Sequence, residues 1–242
     1  MENTGVKAII FDLDNTLIDT SGAGQVALQK VGELLKSTLN VDDATIETIC
    51  NGFKQNLYNE NFNSASGKTI DEVRTLHWEK SLRETVPRCP VESLGSDCYK
   101  LWKSSRLQLL TMSPEVQALL QDLRTKYKLL LLTNGETQTQ REKVQVSNCD
   151  DFFDEVVVGG EQLEQKPSVS IFRLCFEILG VEAQDCVMVG DSLETDIRGG
   201  LKAQVKATVW VKRAGESESN VIKPHYTVSS VLELPRVLAQ VR

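Results

Sequence analysis

Short, unbroken aliphatic runs punctuate the chain, and each is followed by a polar turn and then by apolar residues at helical spacing. The runs are Val6–Phe11, Lys128–Thr133, Glu155–Gly160, Cys186–Gly190 and Ala207–Val211. Runs this short and this apolar suit strands covered on both faces, as in a parallel sheet. Between them, Ser113-Pro114 supplies an N-cap and a first-turn proline. Val116, Leu119, Leu120 and Leu123 then form one helical stripe. Ile171, Leu174, Cys175 and Ile178 form another, with Gly180 where a helix should stop. Ser230 and Glu233 have the spacing of a capping box, although Pro235 lies awkwardly deep for a helix in that register. Strands alternating with helices predict an α/β fold with a doubly wound parallel sheet.

One stretch breaks the alternation. Residues 21–110 carry almost no strand signal, while apolar residues recur at helical spacing: Val31, Leu34 and Leu35, then Leu76 and Leu82, then Leu101 and Trp102. The expectation is a Rossmann-like core from residues 1–20 and 111–242, with a helical lobe of residues 21–110 inserted after the first strand. Within the lobe, the polar, small-residue segment Asn59–Lys68 reads as a loop.

Composition narrows the classes. At 242 residues and 40% hydrophobic content the chain is long enough to build a core without disulfides or metal staples. The six cysteines form no C-x-x-C pair and read as reduced structural thiols. A net charge of −7 with no long basic run argues against a nucleic-acid partner. The longest purely aliphatic run, Leu129–Leu132, is far below the ~18 residues a membrane span needs. The N-terminus lacks the pattern of a secretory signal, so a cytoplasmic location and no membrane partner are expected.

The candidate chemistry lies just past the aliphatic runs, where open α/β sheets bind their ligands. The first run leads into Asp12-Leu13-Asp14-Asn15-Thr16, and the second ends in Thr133-Asn134-Gly135. Lys166-Pro167 follows the third run after a loop. The fourth leads into Asp191, with Asp196 farther on. Carboxylates, a hydroxyl, a glycine turn and a lysine at one sheet edge match the needs of phosphoryl transfer through a metal. Mg²⁺ takes hard oxygen ligands, and lysine sets a compact positive charge against phosphate oxygens. Taken singly, each residue has a plainer reading. Asp12 and Asp14 suit a turn, Lys166 suits solvent, and Asp196 suits the first turn of a helix. Their joint order is what favours chemistry.

FDLDNT, LLTNG, KP and VGDSLETD, in that order, resemble the four motifs of the haloacid dehalogenase superfamily of phosphohydrolases. The likeness continues through HWEK, LWKSSRLQ, LLLLTNGETQTQREK, VVVGGEQ, SIF and VSSVLELP, which resemble the branch acting on a sialic acid 9-phosphate. It therefore covers nearly the whole chain. The resemblance implies Asp12 as nucleophile forming an aspartyl-phosphate, and Asp14 as general acid and base. It implies Mg²⁺ held by Asp12, Asp191 and the Asp14 carbonyl. Thr133, Asn134, Gly135, Lys166 and the backbone amides of Leu13 and Asp14 would cradle the phosphoryl group, and Asp196 would orient Lys166 or a metal water.

The implied substrate is a small phosphorylated sugar acid, N-acylneuraminate 9-phosphate, admitted by a helical cap. Dehalogenases of the superfamily lack a second acid at the position of Asp14, because a halide leaves without a proton. Arg74, Lys103 and Arg106 are candidates for meeting the sugar carboxylate. Another phosphometabolite phosphatase or a phosphosugar mutase shares the four motifs and stays open; a non-catalytic binding protein is disfavoured by the intact acids.

Overall fold

The computed structural model describes residues 5–62, 65 and 67–241. The chain divides into two compact units, Met1–Asp19 with Thr111–Arg242, and Thr20–Leu110.

The first unit is built on a six-stranded sheet whose strand pairs are all parallel. Its strands are β1 (Ala8–Phe11), β2 (Lys128–Thr133), β3 (Glu155–Val158), β4 (Cys186–Gly190), β5 (Ala207–Val211) and β6 (Tyr226–Val228), in the order β3-β2-β1-β4-β5-β6. β1 is central and pairs with β2 and β4, so that Phe11 stands in register with Leu131 and with Val189. The chain runs outward from β1 to β3, then returns to β4 on the other side of β1. The β1/β4 boundary is thus the topological switch point, where a crevice opens beyond the strand ends. β1, β4 and β5 are buried along their whole length, which is why each reads as an uninterrupted apolar run. β6 is a three-residue strand and gives no such run.

The helices of this unit are α5 (Pro114–Arg124), α6 (Thr137–Val146), α7 (Val169–Leu179), α8 (Arg198–Lys202) and α9 (Leu234–Leu238), when α1 to α4 are reserved for the second unit. Ser113 caps α5 by accepting from the Val116 N–H, and Pro114 fills its first turn. Ile171, Phe172, Cys175 and Phe176 of α7 pack on Ile10, Leu130, Leu132 and Met188 of the sheet. Gly180 ends that helix in the left-handed conformation at φ 64°. The Ser230 capping box heads a single 3-10 turn, Val231–Glu233, and a separate helix starts after it. Pro235 therefore sits in a first turn, which removes the conflict seen in the sequence.

The second unit is helical: α1 (Thr20–Leu39), α2 (Asp43–Tyr58), α3 (Ile70–Thr85) and α4 (Val91–Leu107). Its core joins Val31, Leu35, Phe53, Trp78, Leu82 and Trp102. The Phe53 and Trp78 rings stack at 4.0 Å, with Trp102 edge-on to Phe53 at 5.1 Å. Thr69 and Glu72 close a capping box at the start of α3. Leu76 and Leu82, which marked the helical spacing, both lie in α3, where Leu82 is buried and Leu76 is 43% exposed. Of the expected loop Asn59–Lys68, positions 63, 64 and 66 lie outside the described residues. No helix among the described residues is long and apolar enough to cross a membrane. All six cysteines are free thiols, and burial pushes Cys98, Cys175 and Cys186 up to about 12.

Candidate active site

Lys166 is the hub of the polar residues at the sheet edge. Its ammonium lies 2.7 Å from Asp12 Oδ1, 2.8 Å from Asp196 Oδ1 and 2.6 Å from the Leu132 carbonyl oxygen. The Asp12 and Leu132 oxygens accept hydrogen bonds from it, and the Asp196 contact is an ion pair. Each contact has a structural origin. Asp12 directly follows β1, and its N–H donates to the Val189 carbonyl, which ties it to the neighbouring strand end. Leu132 lies in β2 beside β1.

Asp196 sits in the π-helical turn Leu193–Ile197, where its Oδ2 accepts from the Ser192 N–H at 3.0 Å. That close return of the chain depends on Gly190, since a Cβ there would lie 2.3 Å from Asp196 Oδ2 and 2.4 Å from its Cγ. Gly190→Ala is therefore expected to displace Asp196 and to cost about 1–3 kcal/mol, the range for forced overpacking. The check is urea denaturation alongside an activity assay; a fully stable, fully active variant would contradict the packing.

Electrostatics at this edge favour a cation. Asp12, Asp191 and Asp196 each place a carboxylate oxygen within 4.8 Å of the others. Asp196 is 1% exposed and Asp12 7%. Burial, with the negative charges of Asp196 and Asp14 nearby, pushes the Asp12 carboxyl upward against the pull of Lys166. Asp191 is raised to about 6 by burial and then by Asp196, with Arg213 opposing. Three crowded carboxylates balanced mainly by one ammonium form an oxygen-rich, electron-rich set, and a hard divalent cation fits it. Asp191 is steadied from outside, because its carbonyl accepts from Trp210 Nε1 at 2.7 Å and its carboxylate lies 3.6 Å from Arg213. Asp196 thus belongs to the carboxylate cluster as well as to Lys166, where the sequence implied only an orienting role.

Asp14 behaves differently. Its carboxylate is gripped by Lys143, at 2.8 and 2.7 Å to its two oxygens, and by Gln140 at 3.1 Å. Asn15 takes φ 58°, a left-handed turn that asparagine tolerates, and its N–H donates to the Ile18 carbonyl. Both Lys143 and Gln140 come from α6, and neither was singled out in the sequence.

The expected phosphate-binding groups divide. Thr133 is fully buried, and its hydroxyl accepts from Gln140 Nε2. The Asn134 side chain is occupied at both ends by the Lys166 backbone: its Nδ2 donates to the Lys166 carbonyl and its Oδ1 accepts the Lys166 N–H. Asn134 therefore clamps the Lys166 loop, whose Lys166–Pro167 bond is cis. The Gly135 N–H donates to Gln165 Oε1 at 2.9 Å, so this amide also serves the loop. The Asn134 side chain and the Gly135 N–H thus shape the turn that presents Lys166, a task that stands beside the phosphoryl contact the resemblance implies for these residues. The geometry brings together Asp12, Lys166, Asp191 and Asp196, and hangs Asp14 on α6.

The three cations considered for a sugar carboxylate are engaged within the helical unit. Arg74 grips Glu60 at 2.9 Å, Lys103 lies 2.8 Å from Asp71, and Arg106 stands 5.2 Å over the Trp102 ring. His77 lies 3.2 Å from Glu60 beside the same aromatic core.

Comparison with known proteins gives the arrangement its setting. The family model for haloacid dehalogenase-like hydrolases matches residues 6–204. The N-acylneuraminate-9-phosphatases of Rattus norvegicus and Homo sapiens are each 49% identical to the chain, covering 98% of it and 95% of their own length. The hydrolase YfnB of Bacillus subtilis, solved bound to magnesium, superposes with a TM-score of 0.69 at 24% identity, over 97% of this chain and 99% of its own. That likeness speaks for the fold alone. With a matching family model across the core and near-half identity from end to end, the chain belongs to the haloacid dehalogenase-like hydrolases.

Proposed function

We propose that the chain is a Mg²⁺-dependent phosphatase that hydrolyses N-acylneuraminate 9-phosphate to the free sugar acid and phosphate. The observation that supports the substrate is the 49% identity to N-acylneuraminate-9-phosphatases over 98% of the chain, the helical unit included. The chemistry is supported by the Asp12–Lys166–Asp191–Asp196 cluster.

Asp12 attacks phosphorus through a carboxylate oxygen, forming the aspartyl–phosphorus bond as the bond from phosphorus to the sugar oxygen breaks. Asp14 hands its proton to that departing oxygen, then takes one from the water that attacks phosphorus and frees Asp12. Lys166 neutralises the phosphoryl oxygens and keeps Asp12 aimed, with the backbone amides of Leu13 and Asp14 beside them and Thr133 behind. Asp12, Asp191 and the Asp14 carbonyl would hold Mg²⁺, with Asp196 flanking, and the ion would supply screening of the charge between nucleophile and phosphate. Asp196 and Asn134 keep Lys166 in place from two sides. The helical unit is the one we assign to reading the sugar acid.

A panel of phosphorylated metabolites tests the reading, with phosphate release as the signal. Strong preference for the nine-carbon sugar acid is expected; equal turnover of hexose phosphates would overturn the substrate, and phosphoryl transfer between sugar positions would instead favour a mutase. Asp14→Asn should lower kcat/KM for alkoxide leaving groups far more than for aryl phosphates, because kcat/KM reports the step in which the leaving group departs and an aryl oxide departs without a proton. Equal losses on both would remove the acid role.

Metal binding has its own signature. Asp191 is raised to about 6 from an ordinary 3.8. The folded chain therefore holds more protons than the unfolded one between those values, and metal-free stability falls as pH rises through that window. A cation that needs the ionised carboxylate relieves this above pH ~6. Saturating Mg²⁺ should raise Tm by several degrees at neutral pH, at about 2–4 °C per kcal/mol, with a smaller shift at pH ~5. A shift independent of pH, or unchanged in Asp191→Asn, would contradict the assignment.

A further inference from the structure

The carboxylate on which the proposed proton transfers depend is held by another element than its own. Asp14 follows β1, yet its oxygens are met by two side chains one turn apart on α6. Lys143 Nζ lies 2.8 Å from Oδ1 and 2.7 Å from Oδ2, and Gln140 Nε2 lies 3.1 Å from Oδ2. Gln140 is 2% exposed and Lys143 5%, so both turn inward on the face of α6 that also buries Val144. While Asp14 is ionised the Gln140 amide has a fixed sense, because a carboxylate only accepts hydrogen bonds and the NH₂ end must face it. The same NH₂ group donates to the Thr133 hydroxyl at the end of β2, so one amide ties Asp14 to the β2 terminus.

Gly135 is shaped around this link. It takes φ 127°, and a Cβ there would lie 3.2 Å from the Gln140 side chain. A buried lysine facing a partly exposed carboxylate adds little to stability compared with apolar packing. Its geometry, one ammonium shared between both oxygens, instead fixes where the carboxylate points.

We propose that Lys143 and Gln140 are positioning residues for the hydrolysis, holding the Asp14 carboxylate in the orientation from which it serves the departing oxygen and the incoming water. The proposal rests on the reading of Asp14 as the acid–base group. Neither side chain takes or gives a proton in it; Lys143 acts through Asp14, and Gln140 through Asp14 and the Thr133 hydroxyl.

Steady-state kinetics of the full-length chain with Mg²⁺ tests this on N-acetylneuraminate 9-phosphate and on an aryl phosphate. Lys143→Met and Gln140→Met should each lower kcat/KM for the sugar acid about 10- to 100-fold, at and below the lower end of what a working acid–base group contributes. For the aryl phosphate kcat/KM should fall no more than about threefold, while kcat falls on both substrates through the shared hydrolysis of the aspartyl-phosphate. Lys143→Arg should recover most of the loss. In an Asp14→Asn background, Lys143→Met should add no further loss, because residues acting through one group are not additive.

Equal losses of kcat/KM on both substrates, or a full further loss in the Asp14→Asn background, would overturn the proposal. If Lys143→Met fails to fold, Lys143→Gln carries the same test with the same two outcomes. Undiminished activity in Lys143→Met beside a defective Asp14→Asn would sink the positioning role and leave the phosphatase reading standing. Parental rates in Asp14→Asn would end the acid–base reading of Asp14 and the positioning role with it, while the phosphatase activity itself would stand.

Discussion

Asp12→Asn should leave a folded protein with no measurable turnover. The amide is a far weaker nucleophile than a carboxylate, and covalent catalysis has no second route in this site. The loss should exceed about 10⁴-fold, at or beyond the upper range for a single catalytic group. The fold should survive, since Asp12 directly follows β1 and is anchored by its own N–H to the Val189 carbonyl, which the substitution leaves untouched. An amide oxygen can still accept from Lys166. Circular dichroism and a melting curve close to the parent's, together with absent phosphate release, is the expected pair of results. Residual activity within a hundredfold of the parent would mean that water attacks phosphorus directly.

The second large effect is on stability. Lys166 is 4% exposed and its ammonium serves Asp12, Asp196 and the Leu132 carbonyl at once. Lys166→Met removes that charge with nearly the same volume and strands two buried carboxylates beside each other. Breaking a buried ion pair on one side costs about 3–5 kcal/mol, chiefly through the partner left uncompensated. The sign with pH follows from Asp12, whose carboxyl burial already pushes upward and which would lose its main opposing charge. The stranded acids take up protons as pH falls, so the destabilisation should shrink in acid and be largest at neutral pH. Mg²⁺ should restore part of the stability and none of the turnover, since it neutralises the acids without replacing the ammonium at the phosphoryl oxygens. Urea denaturation at two pH values, with and without metal, checks this; an unchanged midpoint without metal would contradict the role of Lys166 as charge hub.

These expectations come from residues that the sequence brought forward, and others that it did not. Asp12 and Asp191 stood out because strongly apolar strands lead straight into them, a contrast visible without coordinates, whereas Asp196 was marked only by its place in the turn that follows. Lys166 was marked only by its place in the series, since a lysine in a polar loop otherwise reads as solvated. Lys143 and Gln140 were hidden for a physical reason: α6 reads TQTQREKVQV, so its inward face is polar and no apolar stripe reveals which side is buried. The signal, had it been weighed, was the spacing of Gln140 and Lys143 with Val144 on one helical face.

Asn134 and Gly135 were located correctly at the end of β2, and their hold on the Lys166 loop is a task the sequence did not show. A side-chain amide able to close on a backbone amide thirty-two positions away cannot be foreseen from local spacing. In the sheet, β6 escaped because three residues carry no periodicity.

Chemical trapping of the enzyme during turnover tests the central claim most directly. In an Asp14→Asn variant supplied with an aryl phosphate, attack on phosphorus proceeds while removal of the phosphoryl group by water is slowed. Borohydride reduces an acyl phosphate to an alcohol, so quenching with it and sequencing peptides by mass spectrometry should find homoserine in place of Asp12. Recovery of unmodified Asp12 from every quenched sample, while phosphate is still being released, would contradict it.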